Sequence, residues 1–91
     1  MHQTISIMVT GKVQGVFYRQ STKEIAQRLS ISGQIKNLQN GNVEIIATGT
    51  KEQLDKLIDW CKHGPPKAVV TDIYWKELPL QEFKQFTIVR F

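Results

Sequence analysis

The chain begins with an alternating run. In Thr4-Ile5-Ser6-Ile7-Met8-Val9-Thr10 the apolar residues Ile5, Ile7 and Val9 recur at every second position, which predicts a strand with one buried face. Gly11-Lys12-Val13-Gln14-Gly15-Val16 reads as a glycine-bounded loop, and beyond it the period changes. Thr22, Ile25, Ala26 and Leu29 stand at i, i+3, i+4 and i+7 with Lys23, Glu24, Gln27 and Arg28 facing outward, an amphipathic helix that ends around residues 30–33. Gln34-Ile35-Lys36-Asn37-Leu38 and Val43-Glu44-Ile45-Ile46-Ala47 predict two short strands. Between them Asn40-Gly41 offers the positive φ angles of a tight hairpin turn, so the two strands are expected to pair antiparallel. Thr50-Lys51-Glu52-Gln53 has the capping-box spacing at the start of a second helix, whose buried stripe is Leu54, Leu57, Ile58 and Cys61. Gly64-Pro65-Pro66 stops that helix, because neither proline has an N–H to donate. A fourth strand is expected over 69–75. After a polar connection around 78–81, a last one is expected over 86–90, pairing beside the fourth or extending it.

Strand, helix, strand, strand, helix, strand is the order of the split-βαβ, ferredoxin-like arrangement. It predicts an α+β sandwich, βαββαβ, with an antiparallel sheet and both helices on one face. Element order alone identifies no function.

Length and composition narrow the class. Ninety-one residues suit one domain over 1–91, and a chain this short buries about 60–65% of the surface its unfolded form exposes. The hydrophobic share of 41% and charged share of 22% are those of a folded globular protein. Cys61 is the single cysteine, so no internal disulfide forms and a reducing compartment is expected. The first residues are too polar for a secretory core and no apolar run approaches a membrane span, so the expected location is the cytoplasm. Twelve Lys and Arg against eight Asp and Glu leave a charge of +4, spread in ones and twos, which favours anionic partners without choosing among them.

The chemistry is expected in Gly11-Lys12-Val13-Gln14-Gly15-Val16-Phe17-Tyr18-Arg19, between the first strand and the first helix. Gly15 lets the backbone curl around a small group. A helix start points free N–H groups and partial positive charge outward. Arg19 adds a planar fork of donors that can grip phosphate. These features fit an anion site and fit equally an ordinary strand-to-helix loop hydrated by water. Asn37, at a strand end, is similarly open: such residues often bond their own backbone.

Gly11-x-Val13-Gln14-Gly15-Val16-x-Tyr18-Arg19 resembles the signature Gly-x-Val-Gln-Gly-Val-x-Phe-Arg of the acylphosphatase family. Gly33-Gln34-Ile35-Lys36-Asn37-x-x-Asn40-Gly41-x-Val43-Glu44 is similar to that family's second motif, Gly-x-Val-x-Asn-x-x-Asp-Gly-x-Val-Glu. Gly64-Pro65-Pro66-x-Ala68-x-Val70 and Phe86-x-Ile88 match two further segments, in the family's order and spacing over nearly the whole chain. The departures are Tyr18 for Phe, Gln34 where an aromatic is common, and Asn40 for Asp.

The resemblance implies a ferredoxin-like hydrolase of carboxyl phosphates that needs no metal and no cofactor. It assigns Arg19 and the backbone N–H groups of Gln14, Gly15, Val16, Phe17 and Tyr18 to the phosphoryl oxygens, and Asn37 to the attacking water. The implied partners are a small acyl phosphate and its product, inorganic phosphate, with no nucleic acid and no membrane; a monomer is expected. His2 and His63 are expected at the surface, Cys61 in the core rather than as a nucleophile, and Lys12 as a solvated residue, while Thr22 fits support of the loop and packing equally. Three rivals share the fold: an RNA-recognition domain, a phosphate-binding module of the kind found inside carbamoyl-transfer proteins, and a regulatory small-molecule domain. The third strand has none of the aromatics that stack RNA bases, which leaves Tyr74 and Trp75 on the fourth as that reading's support.

Overall fold

The structure, a computed structural model, describes residues 1–90. Its elements are β1 (His2–Lys12), α1 (Tyr18–Arg28), β2 (Ser32–Asn37), β3 (Val43–Thr50), α2 (Lys51–Cys61), β4 (Val69–Leu78) and β5 (Phe86–Ile88). They form one five-stranded sheet in the order β4-β1-β3-β2-β5. Both helices pack on it, α1 over β2 and β5, α2 over β3 and β1. The alternation in β1 works as its sequence predicts: Ile5, Ile7 and Val9 are buried with Ile35, Val43, Ile45 and Ala47 from the neighbouring strands, beneath Ala26, Leu54, Leu57 and Cys61 from the helices.

The start of α2 bears its full capping box. Thr50 Oγ1 accepts from Gln53 N (3.2 Å) and Gln53 Oε1 accepts from Thr50 N (2.8 Å). The buried stripe of α2 is Leu54, Leu57, Ile58 and Cys61, as its spacing predicts. The β2–β3 connection is looser than a two-residue hairpin. Gly41 alone takes a positive φ (93°), Leu38 N donates to Asn42 O at 2.9 Å, and the Asn40 side chain accepts from Asn42 N at 3.0 Å. The five residues between the strands give Asn40 a side-chain turn that needs no left-handed backbone.

The last strand overturns its expected place. β5 does not lie beside or extend β4; it pairs parallel with β2 at the opposite edge, so the sheet is mixed rather than antiparallel. The connection after β4 explains both points. Thr4 and Thr48, neighbours on β1 and β3 and fully or nearly buried, donate to Gln81 O at 3.3 and 2.7 Å, while Gln81 N donates back to Thr4 Oγ1 at 2.8 Å. These bonds carry the chain across two strands at one end of the sheet. A strand that starts from that end runs opposite to β4, and β2 also runs opposite to β4, so β5 and β2 are parallel.

Tyr74 and Trp75 point to opposite faces of β4. Tyr74 stands beside Met8 on the face without helices, and Trp75 stands beside Ile7 on the helix side. The two rings therefore form no shared stacking platform.

Candidate active site

The β1–α1 loop is fixed by alternating anchors. Val13 and Val16 are buried in the core, whereas Gly15 and Phe17 project outward. Gly15 (φ 73°) and Phe17 (φ 65°, ψ 22°) both adopt left-handed backbone, two residues apart, which curls the loop back on itself. Such a conformation suits Gly15 but costs a bulky side chain about 1–3 kcal/mol. The Phe17 ring is 77% exposed and recovers little of that by packing.

Gln14 holds this curl against the β2–β3 turn. Its Nε2 donates to Leu38 O and to Asn42 O, both at 2.8 Å. One side chain thus sets the distance between the loop and the end of β2, where Asn37 is the last residue.

Phe17 is also the N-cap of α1, and no side chain accepts a hydrogen bond from the first turn. The first N–H groups of a helix have no partner inside it, and an acid in that turn would usually answer them. α1 has none. Arg19, its second residue, stands there half-exposed and outside every described ion pair.

Tyr18, the first residue of α1, is buried and points away from the loop. Its hydroxyl donates to Cys61 O at 2.7 Å and its ring lies 5.6 Å from that of Trp60. The turn after α2 closes over it. Gly64 (φ 69°) passes so near that a Cβ there would lie 2.5 Å from the Tyr18 ring, which accounts for glycine before Pro65. Burial raises the Tyr18 hydroxyl above the usual phenol range and pushes the Cys61 thiol up to about 12. Both stay protonated at neutral pH, so Cys61 is a core thiol and no thiolate forms there. Tyr18→Phe removes the hydrogen bond and keeps the ring. It is expected to lower stability by about 1–2 kcal/mol with turnover within twofold of the parent, measured by urea unfolding beside an activity assay.

These parts surround a cavity of about 430 Å³. Its walls take Val13, Gln14, Gly15, Phe17, Tyr18 and Arg19 from the loop and helix start, and Asn37 from β2. Of the residues the resemblance assigns to the phosphoryl group and the water, Val16 alone is missing from the wall; its side chain is in the core, and only its backbone N–H remains for a ligand. Asn37 forms no side-chain hydrogen bond to its own turn. Its Oδ1 is buried without a partner among the described residues. An amide oxygen left so costs about 1–3 kcal/mol.

Gln20, Ile88 and Arg90 complete the wall; no motif includes Gln20 or Arg90, and the match at Ile88 assigns it no part in the site. The alternation Phe86, Ile88, Arg90 marks one face of a strand, but only the position of β5 beside β2 brings that face to the loop. Among the described residues the finished wall has two guanidiniums and three carboxamides, and no carboxylate, imidazole or thiol. Elsewhere His2 is exposed at the start of β1 and His63 is exposed beyond α2, its Nδ1 3.4 Å from Asp59 O. Thr22 is buried and its hydroxyl donates to Tyr18 O at 2.8 Å, which is packing within α1.

The acylphosphatase family model matches residues 5–88, from within β1 to the end of β5, with both helices and the whole loop. The chain belongs to the acylphosphatase family. Among relatives, it is 48% identical over 81 residues to the acylphosphatase of Marinobacter nauticus, covering 88% of each chain. Its structure is similar to that of an acylphosphatase from Coxiella burnetii, with a TM-score of 0.94 and 36% identity, covering 97% of this chain and 93% of that one. It is equally similar to the crystal structure of acylphosphatase from Bacillus subtilis, with a TM-score of 0.94 and 35% identity over 99% of this chain and 100% of that one. The fold is therefore the ferredoxin-like acylphosphatase sandwich, and membership makes the chain a hydrolase of acyl phosphates. Against the family pattern, the extra hydroxyl of Tyr18 has a carbonyl partner, and Asn40 keeps the turn that an aspartate would make.

Proposed function

We propose that this acylphosphatase cleaves its substrate at the cavity between the β1–α1 loop and the end of β2, by attack of water on phosphorus. The uncommitted Asn37 carboxamide on the wall that also carries Arg19 and the uncapped start of α1 is the observation that carries this reading. Arg19 and the N–H groups of Gln14 to Tyr18 hold the three phosphoryl oxygens, which fixes the group in line and answers its charge in the transition state. Asn37 holds the water opposite the leaving group. A carboxamide is no base at neutral pH, so its part is orientation.

The new bond joins the water oxygen to phosphorus, and the bond from phosphorus to the bridging oxygen breaks with its electron pair leaving on the carboxylate. A carboxylate has an ordinary pKa of about 4, so it departs without a proton. The water's proton ends on a phosphoryl oxygen. No step calls for a side-chain nucleophile, a general acid, a metal or a cofactor, and among the described residues no cluster of His, Cys, Asp and Glu is placed to hold a metal. The single, buried, free thiol fits work in a reducing compartment such as the cytoplasm.

The test is hydrolysis of benzoyl phosphate by the purified chain at neutral pH with EDTA present. Rapid turnover, unchanged by EDTA, is expected. A folded protein that adds nothing to the spontaneous rate would return the cavity to a binding role.

A further inference from the structure

We propose that Arg90 forms a second anion subsite in the same cavity, reading a negative group on the acyl portion of the substrate. The inference rests on the acyl-phosphate reading above and extends it to substrate class. Arg90 reaches the cavity by the register of the last strand. β5 pairs with β2 as Gly33 beside Phe86, Gln34 beside Thr87 and Ile35 beside Ile88, and Val89 N still donates to Ile35 O at 2.9 Å. The strand ends at Ile88, and Arg90, two residues on, lines the same cavity as Asn37. Ile88 and Arg90 are both on the cavity wall.

The charge of that wall is one-sided. Among the described residues it has Arg19 and Arg90 and no acid. The described ion pairs are Lys36–Glu44, Lys51–Asp55 and Lys62–Asp59, all elsewhere, and no described hydrogen bond uses Arg90. A structural arginine is normally tied to a carboxylate or to backbone carbonyls, and this one is tied to nothing described.

The phosphoryl end does not require it. Arg19 and the free N–H groups of the loop and first turn already supply more donors than three oxygens need. A cavity of about 430 Å³ holds far more than a phosphoryl group, so the acyl portion occupies the remainder. There Ile88 offers apolar wall and Arg90 a planar cation beside it. An acyl group with a short carbon skeleton and a terminal carboxylate or phosphate matches both, because a guanidinium binds such groups in bidentate fashion. The favoured substrates are thus acyl phosphates that carry a second anion.

The test compares 3- and 4-carboxybenzoyl phosphate with 3- and 4-methylbenzoyl phosphate, in which a methyl replaces the carboxylate at equal ring size. The parent is expected to prefer at least one carboxylate isomer over its methyl partner by about tenfold in kcat/KM, the lower end for a charged hydrogen bond at an exposed residue. Arg90→Gln is expected to abolish that preference through a raised KM and leave the methyl substrates unchanged. Arg90→Lys keeps the charge without the fork and retains part of it. Lys56→Gln removes the same charge from an exposed position on α2 outside the cavity, and is expected to leave the preference intact. If Arg90→Gln lowers both substrate types equally, Arg90 serves the phosphoryl group and the subsite does not exist. Equal use of both types by an active parent overturns it too. A parent inactive on every acyl phosphate fails the underlying reading instead, so the two failures are told apart.

Discussion

Arg19→Ala is expected to lower kcat/KM for benzoyl phosphate at least about a thousandfold while the protein stays folded. One preorganised donor aimed at developing charge is worth about 10²–10³ in rate, and Arg19 supplies two donors and a full charge. The fold does not depend on it. The side chain is half-exposed and outside every described ion pair, and α1 is held by Thr22, Ala26 and the Tyr18 ring. Inorganic phosphate, the product, is expected to inhibit the parent competitively and to lose most of that hold in the variant. Arg19→Lys restores the charge but not the planar fork, and should fall between the two. A loss under tenfold, with phosphate inhibition intact, would remove Arg19 from the phosphoryl site.

Asn37→Ala separates water from substrate. The expected result is a fall in kcat of about 10²–10³-fold with KM little changed, because the residue orients the attacking water and leaves phosphoryl binding to the loop. Stability is the second readout. Asn37 Oδ1 is buried without a partner among the described residues, so alanine removes an unanswered acceptor and the melting temperature should hold or rise. A group that costs stability yet sits on the wall of a cavity is what function retains. Asn37→Asp is expected to be worse than alanine in KM, since a carboxylate there faces a dianionic phosphoryl group. A raised KM with kcat preserved in Asn37→Ala would make the residue a substrate contact instead.

What the sequence discloses follows the range of the interactions. Ile5, Ile7 and Val9 declare their strand within a few residues, and Thr50 with Gln53 declares the start of α2, because both patterns act locally. The start of α1 is harder to place. Its cap is Phe17 in left-handed backbone, with none of the Ser, Thr, Asp or Asn that announce a helix, so the visible pattern begins at Thr22 while the helix begins at Tyr18. The missing cap is also what leaves the N–H groups free, and local rules yield here to the site. β5 departs from its expected edge because three residues hold too little pattern to choose one. Thr4 and Thr48 make the choice by gripping Gln81 across a long stretch of chain. Arg90 is hidden from the sequence for the same reason.

The loop and Asn37 become legible through motif resemblance rather than through periodicity. Local physics leaves Asn37 bonding its own backbone as an open alternative, and the structure has no such bond. Gln14 shows how the two motifs are joined: one carboxamide spans from the loop to Leu38 and Asn42, a link no local pattern could draw.

The central claim is that water attacks phosphorus at this cavity. Benzoyl phosphate turned over by the purified chain in ¹⁸O-enriched water tests it most directly, with both products analysed by mass spectrometry. The predicted result is one labelled oxygen in the inorganic phosphate and none in the benzoate. Label in the benzoate would mean attack at the acyl carbon, and would contradict the roles assigned to Arg19, the loop N–H groups and Asn37.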